Sequence, residues 1–205
     1  FKDPVLRFFN ERISSAKEFD HDLKPGRLSY PSQATQVMMN LIDSHDTFRF
    51  LESCNGEISR LELAVLFQMT YIGTPHIWYG DEVGMMGAHD PDCRRPFNWK
   101  YTEDPEKVAL REYYKKLIQI RKENSSLKTG SFKTMLADGM VYSYLRSDKN
   151  SSIAVILNND TKNNKVKIPF NSNYVIDLLT EKKYFIKDGI LEIELDIMTG
   201  VVLKL

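Results

Sequence analysis

The chain has 205 residues, 42% hydrophobic and 27% charged, the balance of a globular protein with room for a sizeable core. Lys and Arg together number 28, as do Asp and Glu, so the formal net charge is zero. That balance excludes nucleic-acid or membrane-surface binding driven by bulk charge.

No apolar run approaches the ~20 residues of a membrane-spanning helix, and Phe1-Lys2-Asp3-Pro4 is no signal peptide. The chain lacks an initiator Met and reads as a piece of something longer. Its two cysteines, Cys54 and Cys93, form no CxxC or Cys/His metal spacing. They read as reduced thiols, which points to a cytoplasmic location.

Asp3-Pro4 marks a helix start, with Pro in the first turn, and Val5, Leu6, Phe8 and Phe9 give an apolar face. Ile13, Ala16 and Phe19 extend that face into a second helix, which Lys24-Pro25-Gly26 should break. Leu28 to Ser32 reads as loop. Val37 to Asp43 then reads as a strand buried on both faces, as in a parallel sheet covered by helices. It runs into an abrupt polar cluster, Asp43-Ser44-His45-Asp46. Such a cluster at a strand end suits a site, because the catalytic groups of a (β/α)8 barrel project from the C-terminal ends of its strands.

Glu57 to Tyr71 predicts a helix that is apolar over more than half its circumference. Gly73-Thr74-Pro75 stops it, and His76-Ile77-Trp78-Tyr79 reads as a second strand ending in charge, Asp81-Glu82. A long loop over residues 84–104 carries His89, Asp90, Asp92, Cys93, Arg94, Arg95, Phe97 and Trp99. Loops of this length in compact domains are functional or disordered, and this mixture does not look disordered. Asp104-Pro105 opens a strong helix to about Lys122, with Asp104 as cap.

From about residue 131 the period changes to alternation. Eight strands are predicted: Ser131–Ala137, Met140–Arg146, Ser152–Leu157, Lys165–Phe170, Tyr174–Leu179, Lys183–Ile186, Leu191–Leu195 and Val201–Leu205. Asp138-Gly139 is a tight-hairpin signal. Short strands at regular spacing predict an antiparallel sandwich. The expected domains are residues 1–124, mixed α/β, and residues 125–205, all β.

The motifs together are specific. Leu41-Ile42-Asp43-Ser44-His45-Asp46-Thr47 resembles the seventh-strand motif of the α-amylase superfamily, and Gly73 to Glu82 resembles its eighth strand. Asp-Ser-His-Asp together with Asp90-Pro91-Asp92-Cys93-Arg94-Arg95 is similar to the neopullulanase, cyclomaltodextrinase and maltogenic amylase group. The resemblance implies the C-terminal part of a (β/α)8 TIM barrel followed by a β-sandwich. It implies retaining hydrolysis of α-1,4, and often α-1,6, glucosidic bonds, which needs a nucleophilic carboxylate and a proton-donating carboxylic acid. A third carboxylate of that family stabilises the oxocarbenium-like transition state, and Asp46 matches it. His45, Asp90 and Arg94 match residues that contact sugar hydroxyls. No segment matches the nucleophile or the acid/base, so the chain alone is expected to be inactive. The partners implied are α-glucan oligosaccharides, and a homo-oligomer is a further expectation. No cofactor or metal site is visible, although calcium belongs to some full-length relatives.

Each residue also has a plainer reading. Asp43 reads as strand-end framework, Asp81 and Glu82 as a structural ion pair, and Asp90 with Arg94 as a loop salt bridge. Trp78, Tyr79 and Trp99 suit core or rim packing as well as sugar stacking, and His76 suits the core. Lys115-Lys116 and Arg121-Lys122 read as a solvated helix face. Two alternative functions stand beside hydrolysis: a glucan-binding or structural module without activity, and a transglycosylase of the same family. A pair of parallel strands alone would expose unpaired edges. The helical part is therefore expected to rearrange, to dimerise, or to be only marginally stable.

Overall fold

The fold is that of a computed structural model, which describes residues 1–205. Helix α1 (Lys2–Val5) continues through a π-helical turn, Leu6–Asn10, and buries Val5, Phe8 and Phe9. Ser15 opens α2 (Ala16–Leu28) with a capping box. Its hydroxyl accepts from the Glu18 amide at 3.3 Å, and Glu18 Oε2 accepts from the Ser15 amide at 2.7 Å. Contrary to the expected break, α2 runs through Pro25. The extra turn is held by Arg27, which donates to Asp20 Oδ1 two turns earlier in the same helix at 3.0 Å and to the Tyr71 hydroxyl, outside it, at 3.1 Å. That tertiary grip outweighs the lost backbone bond.

A short helix α3 (Ser32–Val37) lies between the expected loop and the expected strand, taking the last residue of the one and the first of the other. Strand β1 is thereby reduced to Met39–Leu41. After α4 (Phe50–Ser53) and α5 (Ile58–Thr70), β2 (Thr74–His76) pairs with β1 in parallel, Met39 opposite Thr74 and Leu41 opposite His76. The residues read as a helix stop are thus the strand itself, and Ile77–Tyr79 lie beyond it. Side chains fix this placement. Gln68 of α5 donates to the carbonyls of Asn40 and His76, both at 2.9 Å. Only one face of β1 is covered. Asn40 and Ile42 are buried, whereas Met39 on the opposite face is 59% exposed.

Helix α6 (Pro105–Glu123) begins as expected, with Asp104 Oδ1 accepting from the Glu106 amide at 3.1 Å. Arg121 is not a solvated residue. It donates to the Met69 and Tyr71 carbonyls at 2.7 and 3.2 Å and to that of Gly73, closing the C-terminal end of α5. A short α7 (Ser125–Thr129) follows.

All eight predicted strands form: β3 (Ser131–Asp138), β4 (Val141–Ser147), β5 (Ser152–Asn158), β6 (Asn164–Pro169), β7 (Tyr174–Asp177), β8 (Lys183–Phe185), β9 (Ile190–Leu195) and β10 (Thr199–Lys204). Six make one antiparallel sheet in the order β3-β4-β5-β10-β7-β8, while β6 and β9 form a separate antiparallel ribbon. Asp138 pairs with Val141, which leaves a two-residue turn at Gly139 with φ +52°.

The large sheet is buried on both faces. Ala154, Ile156 and Leu203 face the ribbon's Val166, Leu191 and Ile193. The other face receives the helices: Phe19 packs edge-on against Tyr142 at 5.3 Å, and Phe67 against Tyr144 at 5.9 Å. A core of 29 residues therefore runs from Val5 to Val202, through helices and sheet together.

Candidate active site

The site stands where β1 ends. Ser44 folds the chain sharply: its amide donates to Thr47 Oγ1 at 3.0 Å, and its hydroxyl accepts from the Asp46 amide at 3.3 Å. The turn lifts His45 and Asp46 into solvent, with side chains 55% and 67% exposed. His45 Nε2 lies 3.1 Å from Asp46 Oδ2. The His45 ring also leans on Trp78, beyond β2, with centroids 5.7 Å apart.

The long loop comes to meet this turn through a 3-10 turn, Asp92–Arg94. Arg94 Nε donates to the His45 carbonyl at 3.0 Å, and Nη2 donates to Asp46 Oδ1 at 3.3 Å. The same guanidinium lies 3.2 Å from Asp90 Oδ1. Cys93 Sγ adds a contact to the His45 carbonyl at 3.2 Å. All four residues expected from the sequence, His45, Asp46, Asp90 and Arg94, thus meet in one cluster. Exposed pairs of this kind add about 0–1 kcal/mol to stability, so the arrangement presents groups rather than holding the fold. It offers carboxylate acceptors beside a planar fork of donors, which suits neighbouring hydroxyls.

Beneath the exposed cluster lies a buried one. Arg49 is fully buried and donates from Nη1 to Asp81 Oδ1 at 3.0 Å and to the Tyr79 carbonyl at 2.8 Å. Its Nε donates to the Cys93 carbonyl at 3.0 Å. Asp43 Oδ2 accepts from the Phe50 amide at 2.7 Å. Burial pushes the carboxyls of both Asp43 and Asp81 above their ordinary range. For Asp81 the rise is large: burial is its main cause, and the charge of Asp43 nearby adds to the cost of ionising. Asp43 is therefore framework, as expected, and the ion pair expected of Asp81 is made with Arg49. Glu82 makes no ion pair; its Oε2 accepts from the Gly80 amide at 2.7 Å.

Arg49 was not anticipated. Its signal in the sequence is a lone cation inside Phe48-Arg49-Phe50-Leu51, where a buried charge must find partners. Among the aromatic residues, Trp99 departs from the core reading. It is 80% exposed and touches Phe97 at a centroid distance of 4.7 Å. His76 is half-buried rather than core. His89 is exposed and packs edge-on against Phe48 at 4.2 Å. Both cysteines are free and buried. No group of three or more His, Cys, Asp or Glu side chains is arranged to hold a metal ion, and no helix is long and apolar enough to cross a membrane.

Acid and imidazole groups just past the end of one of two parallel strands, met by a guanidinium from a loop, are the arrangement found in α/β-barrel sites. Comparison with known proteins makes the class specific. The family model described as "Alpha amylase, catalytic domain" matches residues 1–130. Neopullulanase 2 of Thermoactinomyces vulgaris is 42% identical over 208 residues, covering 99% of this chain and 35% of that protein. A cyclomaltodextrinase of Thermoanaerobacter pseudethanolicus is 46% identical over 162 residues, covering 79% of this chain and 28% of that protein. A solved cyclomaltodextrinase structure superposes with a TM-score of 0.90 at 34% identity, covering 99% of this chain and 35% of the other. The chain belongs to the α-amylase family. It spans about a third of the length of the curated relatives it matches.

Proposed function

We propose that this chain is the part of a retaining α-glucan hydrolase that carries the transition-state-stabilising carboxylate. The bonds cleaved are α-1,4 glucosidic bonds, with α-1,6 bonds a second candidate, in cyclodextrins, pullulan or starch oligosaccharides. Residues 1–124 are then the last strands and helices of a (β/α)8 barrel, with β1 and β2 as its seventh and eighth strands, and residues 125–205 are its β-sandwich domain. The names of the relatives, neopullulanase and cyclomaltodextrinase, support the substrate class. A cytoplasmic location fits the two free cysteines and a Bacillus subtilis relative called intracellular maltogenic amylase.

One observation carries the reading: Arg94 joins Asp46, Asp90 and the His45 carbonyl into one exposed cluster. In retaining hydrolysis the anomeric carbon gains positive charge as the leaving group departs. A fixed carboxylate at Asp46 stabilises that charge and accepts from the hydroxyls next to it. His45 donates to a hydroxyl, and the Asp90–Arg94 pair grips two more. The nucleophile and the acid/base belong to the two thirds of the relatives that this chain does not match.

Two measurements test this. Titration of the 205-residue chain with maltotriose should perturb the NMR signals of His45, Asp46, Asp90 and Arg94. Placing residues 1–205 in the matching position of neopullulanase 2 should give an active chimera on β-cyclodextrin, and Asp46→Asn there should lower kcat about 10²-fold or more. Binding without any turnover in a folded chimera would favour the glucan-binding module. Turnover unchanged by Asp46→Asn would refute the role of Asp46.

A further inference from the structure

The buried cluster under the site has contacts that a packing role does not require. Arg49 holds three separate segments at once. Through Nη1 it takes the Tyr79 carbonyl and Asp81, just beyond β2. Through Nε it takes the Cys93 carbonyl, and through its backbone amide the Gly87 carbonyl at 2.9 Å, so the long loop is pinned at two points. Asp43, at the end of β1, fixes the chain on the far side of the turn by accepting from the Phe50 amide. The residue after Cys93 is Arg94, and the turn between Asp43 and Arg49 holds His45 and Asp46.

We propose that Arg49, bonded to Asp81 and to the carbonyls of Tyr79 and Cys93, is a positioning residue that sets the distance between Asp46 and Arg94. The inference rests on the reading of Asp46 and Arg94 as sugar-facing residues, but its geometry does not. Both residues hang from short, exposed segments that have little packing of their own. Their shared reference is Arg49, which is itself fully buried and is held by directed bonds from Nε and Nη1 to three acceptors. A shift of about 1 Å in such a cluster is enough to cost a large factor in activity.

The test separates positioning from sugar binding by reading each on its own. The Nε–Hε group of Arg94 reports its bond to the His45 carbonyl in 15N-labelled chain, with no ligand present. Asp81→Ala is expected to speed hydrogen exchange at that group about tenfold by freeing the loop. Asp81→Asn should behave as wild type, because its amide carbonyl still accepts from Arg49. Arg49→Lys keeps a cation opposite Asp81 but loses the fork, and it should match Asp81→Ala. It serves in place of Asp81→Ala if that variant does not fold.

Maltotriose titration of the same samples forms the second arm, with affinity expected to fall about tenfold in the variants that free Arg94. Unchanged Arg94 exchange in folded Asp81→Ala or Arg49→Lys overturns the positioning role, whatever the sugar does. Faster exchange in those variants, combined with no maltotriose binding by wild type, upholds positioning and removes the sugar-site reading instead.

Discussion

Arg94 lies 48 residues beyond Asp46 in the chain, yet its Nη2 stands 3.3 Å from Asp46 Oδ1. The contact closes a ring, because the same guanidinium reaches the carbonyl of His45 and the carboxylate of Asp90. Two segments that never share an element are thus aligned by one planar group. Lysine cannot do this, since an ammonium is a point donor without a fixed fork. Arg94→Lys is expected to leave folding stability within about 0.5 kcal/mol, because the site is exposed. Turnover by the neopullulanase chimera should drop about tenfold or more, roughly 1.4 kcal/mol of lost transition-state binding. Urea titration and β-cyclodextrin kinetics on one preparation check both halves, and a large stability loss would make Arg94 structural.

Asp20 is the anchor of α2 on the sheet. Its Oδ1 accepts from Thr134 Oγ1 at 2.7 Å, from the Tyr142 hydroxyl at 2.8 Å and from Arg27 Nη2 at 3.0 Å. Burial acts to raise its pKa, but these hydrogen bonds and the charge of Arg27 outweigh it and hold the carboxyl below its ordinary range. A depressed carboxylate contributes stability above its unfolded pKa of about 4, and that contribution is lost as pH falls through the folded value. Asp20→Ala should cost about 2–4 kcal/mol at pH 7, since it strands two hydroxyls and a largely buried guanidinium. The gap between wild type and Asp20→Ala in urea titrations should narrow at pH 3. A gap independent of pH would show that the carboxylate charge is not what Asp20 supplies.

The β strands were legible because alternation is a strong local signal, as in Ile190–Leu195, where buried Leu191, Ile193 and Leu195 alternate with exposed Glu192 and Glu194. The clustering of Asp46, His45, Asp90 and Arg94 was legible through motif resemblance, which carries long-range information that periodicity lacks. What failed was local punctuation. Pro25 marks a break by its chemistry, but Arg27 grips Asp20 in the same helix and Tyr71 far along the chain, and extends the helix past it. Ser32–Val37 offers no apolar stripe, so nothing in its sequence announced a helix. Val37 to Asp43 is largely apolar in sequence, which signals burial on both faces, while only the face carrying Asn40 and Ile42 is covered. Arg49 and Arg121 were hidden for a common reason. A charged side chain reads as solvated until the carbonyls and carboxylates that surround it are known.

The raised carboxyls of Asp43 and Asp81 have a stability signature of the opposite sign to that of Asp20. Burial raises both; Asp43 raises Asp81 further, while a hydrogen bond from the Asp81 side offsets part of the rise at Asp43. The native state therefore keeps a proton that the unfolded chain releases above about pH 4. Stability from this source is full below that pH and declines as pH rises through the folded value of the pair. Asp81→Asn replaces the proton permanently with an amide hydrogen. The difference in unfolding free energy between wild type and Asp81→Asn should thus move in favour of Asn between pH 5 and pH 8. A difference that is flat across this range would mean that the pair does not hold the proton.

Arg146 joins the helices to the sheet without any carboxylate. It is fully buried, and Nη1 donates to the carbonyls of Thr70 at 2.8 Å and Leu127 at 3.2 Å, while Nη2 donates to that of Gly130 at 3.1 Å. Burial, opposed by no anion, pulls its pKa down to about 10, so it remains a cation at neutral pH, solvated by backbone dipoles. Those carbonyls end α5 and α7, where helix dipoles are negative and a cation is favoured. Arg146→Met fills the same space but leaves three buried carbonyls unpaired. The expected loss is about 3–5 kcal/mol, and Arg146→Lys should recover little of it, because one ammonium cannot span acceptors set out for a fork. Because a single core runs through both parts, the loss should appear as one cooperative urea transition shifted to lower midpoint, followed by tryptophan fluorescence and far-UV circular dichroism together. Two separated transitions in the Met variant would show instead that Arg146 couples two units, each able to fold without the other.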